Sequence, residues 1–350
     1  MRKIAIYIPT LDLGGAEKQA MLLASMLSKD NEVHLITLDM VHRDSERNSA
    51  ILKTVPITRH LISYNMFKSV KQLTYILKEN HIEILFNYLT FPNILGSYAG
   101  RKAGVLKIYN GIRNAELPIW KMVLERYVHN HWCTKTIFNC HSGADNLIKK
   151  GFCVNKCIVI PNCFGDIAPV KLRDEKQVKN IIIVGRFVAQ KDYFTAIRAI
   201  SKLKTLRRDF IFHIVGYGEQ ESTIRNWVKK YDIVTHTIFH IKPSNIPDLL
   251  KNADIYLSTS LFEGTSNSIM EALNYSLPVV CTDVGDNSYL VNDKINGYLH
   301  PVGAYDTMAS SLNDLLSNLQ LRNDLGARGN QILRENFSTE RFYKRYKEII

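Results

Sequence analysis

Short apolar runs of strand length alternate with stretches of helical period along nearly all 350 residues, and this alternation limits the possible folds more than any other feature. Strands buried on both faces read as continuous apolar runs, and parallel strands must be joined by crossovers, usually helices. The pattern therefore predicts parallel α/β architecture. In the first half, strands are expected at residues 3–8, 32–37, 82–86, 106–110 and 136–138. A helix over 16–27 places Ala20, Leu23, Ala24 and Leu27 on one stripe. The cycle then restarts, with strands at 180–184, 210–215, 237–239, 254–258 and 278–281. Helices are expected near 192–206, 219–231, 246–251 and 268–275. Between the halves, an apolar run ends at Pro161-Asn162 and a polar, charged stretch covers 165–179, which puts a domain join near Asn162. The expected domains are 1–163 and 164–335. Phe342, Tyr346 and Ile349 recur at helical spacing, so the last helix has an apolar face to cover.

Length and composition agree. A chain of this size with 46% hydrophobic residues exceeds one ordinary core and suits two. Its apolar runs are too short to span a bilayer. The apolar part of residues 1–9 is too short for a signal peptide and is closed by Pro9, so it is expected to be a buried first strand. Six cysteines, at 133, 140, 153, 157, 163 and 281, form no C-x-x-C pair and suit free thiols in a cytosolic protein. His129, His131, Cys133, Cys140 and His141 cluster without a zinc-site spacing, so no metal is expected there. Net charge is +12; residues 1–163 hold 21 Lys and Arg against 12 Asp and Glu. That bias favours an anionic partner, such as a membrane surface, a lipid-linked phosphate or nucleic acid, or makes a solvated basic face.

The chemistry-bearing residues fall in loops after predicted strands. Glu263 and Glu271 stand eight residues apart, the first in a Gly/Ser/Thr/Asn-rich loop and the second near the start of the next helix. Carboxylates accept hydrogen bonds from sugar hydroxyls, and free N–H groups at a helix start suit phosphate oxygens. Ser268 and Glu271 equally fit a capping box. After residue 184 comes Gly185-Arg186-Phe187-Val188-Ala189-Gln190-Lys191-Asp192, with Asp192 a candidate helix cap. Arg186 and Lys191 beside a helix start suit a diphosphate, since a guanidinium grips two phosphate oxygens and an ammonium adds a point charge. Gly216-Tyr217-Gly218 makes a glycine turn, but Glu221 replaces the third glycine of a dinucleotide fingerprint. Gly14-Gly15-Ala16-Glu17 offers backbone at another helix start.

These residues resemble the retaining glycosyltransferases of family 4, with the GT-B fold. The resemblance runs through Gly14-Gly15-Ala16-Glu17, Pro161-Asn162, Val184-Gly185-Arg186 with Lys191, Val215-Gly216-Tyr217-Gly218, Glu263 to Glu271, Pro278-Val279-Val280 and Asn296-Gly297-Tyr298. It implies two facing Rossmann-like domains with a cleft between them, acceptor domain first and donor domain second. The last helix, about 336–350, would cross back to the first domain. It implies that Arg186 and Lys191 neutralise the donor diphosphate, that Glu263 binds sugar hydroxyls near the reacting carbon, and that Glu271 binds the ribose. Backbone around Thr265, Ser266 and Asn267 would touch phosphate and sugar, and the glycine loops at Gly14, Gly15 and Gly216 would admit the donor. With no D-x-D triplet, cations would replace a metal, and no cofactor is expected.

The expected activity is retaining transfer of a hexose or N-acetylhexosamine from a nucleotide diphosphate sugar, UDP-linked, to a lipid-linked glycan in O-antigen, capsule or exopolysaccharide synthesis. The enzyme would be cytoplasmic and peripheral on an anionic membrane face, without nucleic acid as partner. A nucleotide-sugar epimerase of the same fold and a non-catalytic basic scaffold are the other readings. Departures from the family pattern are Asn87-Tyr88 after the strand where many relatives carry a histidine, Cys163 after Asn162, Ser276 in place of glycine, and Tyr289 in place of an acid.

Overall fold

The computed structural model of the protein describes residues 1–12, 14–39, 45, 51–113 and 118–350. The chain divides into two compact units, Met1–Cys163 with Glu340–Ile350, and Phe164–Thr339.

In the first unit, strands β1 (Lys3–Tyr7), β2 (Glu32–Leu38), β3 (Ile57–Ile62), β4 (Ile84–Tyr88), β5 (Lys107–Ile112), β6 (Lys135–Phe138) and β7 (Cys157–Val159) form one sheet in the order β3-β2-β1-β4-β5-β6-β7. Every pairing is parallel. Ile4, Ile6, Leu35, Ile84 and Phe86 are buried within it. The strand order reverses at β1, which opens a crevice at the carboxyl ends of β1 and β4.

The C-terminal helix Thr339–Lys347 belongs to this unit. Phe342 and Tyr346 are buried in its core, with the Tyr346 ring edge-on to Phe86 at 5.6 Å between centroids. Lys107 donates to the Ile349 carbonyl at 3.1 Å, as does the Tyr109 hydroxyl, and Tyr343 donates to Asp30 at 2.9 Å.

In the second unit, β8 (Lys179–Val184), β9 (Phe210–Gly216), β10 (Thr237–Ile241), β11 (Ile255–Ser258), β12 (Val279–Thr282) and β13 (Gly297–His300) pair in the order β10-β9-β8-β11-β12-β13, again parallel throughout. Here the order reverses at β8. The loops that follow β8 and β11 therefore flank one crevice.

Three strands, β3, β7 and β13, lie outside the sequence expectation, and all three are edge strands. An edge strand has one neighbour and partial burial, so it tolerates Thr58, Arg59 and His60 or the glycine-led Gly297-Tyr298-Leu299-His300. Strand β4 runs to Tyr88, two residues beyond the expected end. Asn87 is consequently inside the sheet, 1% exposed, with its amide donating to Asn110 Oδ1 at 2.9 Å. It lies within the strand and not in the loop after it.

The polar stretch 165–178 is not a free linker. Arg173 is buried in it, and its guanidinium donates to the carbonyls of Ala253, Ser276 and Tyr275 at 2.8, 2.6 and 2.9 Å. A single charged side chain thus supplies donors to three otherwise orphaned carbonyls.

Each sheet also carries a stacked histidine pair between an outer strand and its neighbour. His34 on β2 stacks on His60 of β3, and His213 on β9 on His240 of β10, with 5.2 Å between centroids in both. Their ring nitrogens approach to 2.9 and 3.0 Å. Burial pushes His213 down to about 4, and burial also lowers His60 and His240.

Candidate active site

Gly185 follows β8, and a turn of 3-10 helix over Ala189–Lys191 brings Lys191 back across it. A Cβ on Gly185 would stand 3.4 Å from the Lys191 Cγ and Cε and from the Tyr193 hydroxyl. Asp192, in the left-handed region at φ 42°, caps the helix Tyr193–Leu206 by accepting from the Thr195 backbone at 3.3 Å and its hydroxyl at 2.6 Å. The Lys191 ammonium donates to Glu263 Oε1, which also accepts from the Ser260 hydroxyl at 2.7 Å. Both side chains of this ion pair are mostly buried.

The Glu263 loop is held from two sides. On the β8 side, Gln190 donates to the Phe262 carbonyl at 2.8 Å, Leu261 N–H donates to the Gln190 carbonyl at 2.8 Å, and the Thr259 hydroxyl donates to the Lys191 and Asp192 carbonyls. On the β12 side, the Thr282 hydroxyl donates to the Ser260 carbonyl at 2.6 Å. Gly285, at φ 57°, lies so close that an added Cβ would be 2.0 Å from the Glu263 carbonyl. A carboxylate anchored this way needs little reorganisation before it meets a ligand.

Gly216 closes β9 against Gly185: at φ 153°, a Cβ there would be 1.9 Å from the Gly185 carbonyl oxygen. Beside this contact lies a groove of about 520 Å³ bounded by Gly185, Arg186, Gly216, Tyr217, Lys242 and Ile246. Arg186 is exposed at its rim, and the Lys242 ammonium sits 5.0 Å from the centre of the Tyr217 ring. Two cations and two glycine-lined turns make a surface suited to an anion approaching backbone N–H groups.

The helix carrying Glu271 spans Asn267–Asn274, with Ser266 at its N-cap position and no side-chain cap bond. Ser268 is therefore already helical and not the cap, and Glu271 stands in the second turn rather than the first. The Ser266 and Ser268 hydroxyls are 3.2 Å apart. Thr265 is half-buried, Ser266 buried and Asn267 exposed at this helix start. Glu263 and Glu271 converge on the buried Tyr256, whose phenol donates to the Val184 carbonyl at 3.2 Å. Burial raises that phenol well above its ordinary range, and the two carboxylates push the same way. Lys191, Glu263, Glu271, Gly185 and Gly216 are thus drawn together around the β8–β11 switch point, with Arg186 at the groove rim.

Gly14 and Gly15 belong to the first unit. Gly14 occupies the N-cap position of the helix Gly15–Leu27, and a Cβ there would be 2.0 Å from Glu17 Oε2, whereas Gly15 has open space beside it. A separate pocket of about 260 Å³ opens at the carboxyl ends of β1, β4 and β5, lined by Pro9, Thr90, Pro92, Arg113, Lys121 and Glu125 among others. Glu125 is buried and accepts from the Asn93 amide at 2.9 Å; burial raises it to about 7. Arg113 stands 4.8 Å over the Tyr88 ring and donates to Asn162 Oδ1 at 2.9 Å.

Ser260, Lys242, Arg113, Lys121 and Glu125 escaped the reading of the sequence. Lys242 alone had a visible signal, as a cation just past the strand-like run at 237–239. His129, expected not to bind metal, has its ring nitrogens 2.8 Å from the Thr136 hydroxyl and 3.0 Å from the Cys153 carbonyl. Among the described residues no group of three or more His, Cys, Asp or Glu could hold a metal ion.

The family profile "Glycosyl transferases group 1" matches residues 166–332, and "Glycosyltransferase Family 4" matches residues 13–164. The chain belongs to this glycosyltransferase family.

The glycosyltransferase is similar to the Escherichia coli UDP-Gal:alpha-D-GlcNAc-diphosphoundecaprenol alpha-1,3-galactosyltransferase, 24% identical over 279 residues that cover 73% of this chain and 72% of the relative. It is also similar to the Campylobacter jejuni N-acetylgalactosamine-N,N'-diacetylbacillosaminyl-diphospho-undecaprenol 4-alpha-N-acetylgalactosaminyltransferase, at 24% over 92% of both chains. Among solved structures, Anabaena Alr3699/HepE in complex with UDP matches all of this chain and 99% of its own, with a TM-score of 0.79 at 16% identity. The lipopolysaccharide outer core galactosyltransferase WaaB, in its apo form, matches 99% of this chain and 98% of its own, with a TM-score of 0.78 at 17% identity. These likenesses establish the GT-B fold for the glycosyltransferase.

Proposed function

We propose that the glycosyltransferase moves a hexose or N-acetylhexosamine from a UDP-sugar to a lipid-linked glycan with retention of configuration, in the assembly of a surface polysaccharide. The observation that carries this reading is the Lys191–Glu263 ion pair, fixed at the β8–β11 switch point beside the Arg186 groove. The donor and acceptor named for the E. coli and C. jejuni relatives, and the UDP in the Anabaena complex, support the choice of substrates.

In this mechanism the bond between the sugar's anomeric carbon and the diphosphate oxygen breaks as an acceptor hydroxyl bonds to the same face of that carbon. The hydroxyl proton passes to the departing phosphate oxygen. Negative charge grows on the diphosphate, where Arg186 and Lys191 stabilise it. The incoming diphosphate competes for the Lys191 ammonium and frees Glu263 to accept from sugar hydroxyls and to offset positive charge on the ring. Glu271 accepts from the ribose hydroxyls. The N–H groups at the start of the helix Asn267–Asn274, with the turn at Gly216, meet donor oxygens. Because the sequence contains no D-x-D triplet, the side-chain cations take the place of a divalent ion.

The test is a panel of UDP-, GDP- and dTDP-sugars scored by thermal stabilisation and by transfer to a lipid-diphosphate glycan. A ligand at a hundred times its dissociation constant adds about 2.7 kcal/mol of stability. Absence of stabilisation by every UDP-sugar refutes the donor, and conversion of the donor sugar without acceptor indicates epimerisation instead.

A further inference from the structure

Strand β8 is left by its two neighbours at different heights. It pairs with β9 as far as Val184, but with β11 only at Ile181 and Ile182. From Leu257 onward β11 pairs with β12 alone, Leu257 opposite Val280 and Ser258 opposite Cys281. The strands thus part at the switch point, and the end of β8 loses its ladder on that side.

The Gly185 N–H donates to the Val215 carbonyl on β9 at 3.0 Å. The carbonyl across the same planar peptide, that of Val184, therefore points the opposite way, toward β11, where the ladder has already ended. A buried carbonyl without a donor is costly. Here a side chain supplies the donor: the phenol of Tyr256, reaching up from β11, bonds the Val184 oxygen at 3.2 Å. One residue further on, the Gly185 oxygen accepts from the Tyr193 phenol at 2.9 Å. Both tyrosines are 0% exposed. Phenylalanine would fill the same space, and only the hydroxyls reach these two successive carbonyls.

The turn held in this way carries the cations of the candidate site. The Tyr193 hydroxyl and the Lys191 stem pack against the same face of Gly185. The Tyr193 ring meets Phe187 edge-on at 5.2 Å, and Phe187 is buried with its N–H donating to the Tyr217 carbonyl at 2.8 Å. Tyr256 also reaches the other loop, since the Ser268 hydroxyl hydrogen-bonds its phenol and lies 3.2 Å from the Ser266 hydroxyl. A line of hydroxyls therefore runs from the start of the helix Asn267–Asn274, through Tyr256, to the end of β8. It ties together the two loops that flank the crevice.

We propose that Tyr193 and Tyr256 are positioning residues of the donor site. Their phenols hold the Val184 and Gly185 carbonyls where β8 parts from β11, and so keep the turn bearing Arg186 and Lys191 in its diphosphate-binding form. Being fully buried, neither phenol touches the donor; each acts from behind the residues that do. The role in donor binding rests on the UDP-sugar reading above, whereas the holding of the turn does not.

The experiment compares the wild type with Tyr256→Phe and with Tyr193→Phe. It measures the dissociation constant for UDP by calorimetry well below the melting temperature, hydrogen exchange of the amides of residues 184–192 without ligand, and Tm. Each substitution is expected to weaken UDP binding about fivefold or more, and to speed exchange in 184–192 while leaving the first unit as it was. A role confined to stability would move Tm alone. UDP affinity unchanged in both variants therefore overturns the proposal, whatever happens to Tm. So does exchange that speeds equally throughout the second unit, which would report general loosening. The two variants are read separately, so that misfolding of one leaves the other as the test. If the wild type itself binds no UDP while exchange speeds locally, the donor reading fails and the holding of the turn stands.

Discussion

The Lys191 ammonium donates to Glu263 Oε1 across 72 positions of sequence, inside one unit of the fold. Removing either partner strands the other as a partly buried charge, which costs on the order of 1–3 kcal/mol. We expect Lys191→Ala and Glu263→Ala each to lower turnover more than tenfold. The double variant should be less damaging to stability than the sum of the two, measured as a double-mutant cycle by denaturant unfolding. Strict additivity in that cycle would contradict a working pair.

Gly216→Ala is expected to reduce stability by about 2 kcal/mol or more, since its Cβ would be driven into the Gly185 carbonyl at a backbone angle that side chains rarely adopt. UDP-sugar affinity should fall with it. Gly15→Ala, with open space around it, is the control and should fold normally.

Glu125 and the histidine stacks act on stability in opposite directions with pH. Burial raises Glu125 from its ordinary value to about 7, so its contribution is full below about 4.5 and declines as pH rises through 7. Glu125→Gln keeps an acceptor for the Asn93 amide and should flatten the decline; denaturant midpoints at pH 5 and pH 8 for both proteins measure it. His213, lowered to about 4, contributes stability above about 6.5 that is lost as pH falls toward 4. His213→Phe should lessen that acid loss.

Phe342→Ala is expected to cost about 3–5 kcal/mol, because the ring is buried among Phe86, Tyr346 and the strands of the first sheet. In a calorimetric scan the loss should fall on the transition of the first unit. The second, whose core contains neither residue, should melt as before.

Strands with neighbours on both sides could be read from sequence because burial on two faces leaves unbroken apolar runs, as in Ile181-Ile182-Ile183. Of the four edge strands only β10 could, at Thr237-Ile238-Phe239; in the others residues such as Arg59 and His60 are compatible with half-burial and indistinguishable from loop. Candidate site residues could be named wherever a loop type and a charge coincided, at Lys191 and Glu263. That these two touch depends on β8 and β11 being neighbours, a matter of strand order that no local pattern encodes. The helix start is one residue-pair off for a related reason: Ser266 and Ser268 are both plausible caps by sequence, and the chain uses the earlier one. Glu125 left no trace in the sequence pattern, because a single acid in a helical stretch reads as a solvated one, whereas it is buried against Asn93.

Residues 340–350 complete a core whose strands all lie before residue 160. During translation the first unit is therefore begun before the second and still incomplete when the second has been made. All of the second unit's strands are synthesised between the first unit's strands and the Phe342 and Tyr346 that pack among them.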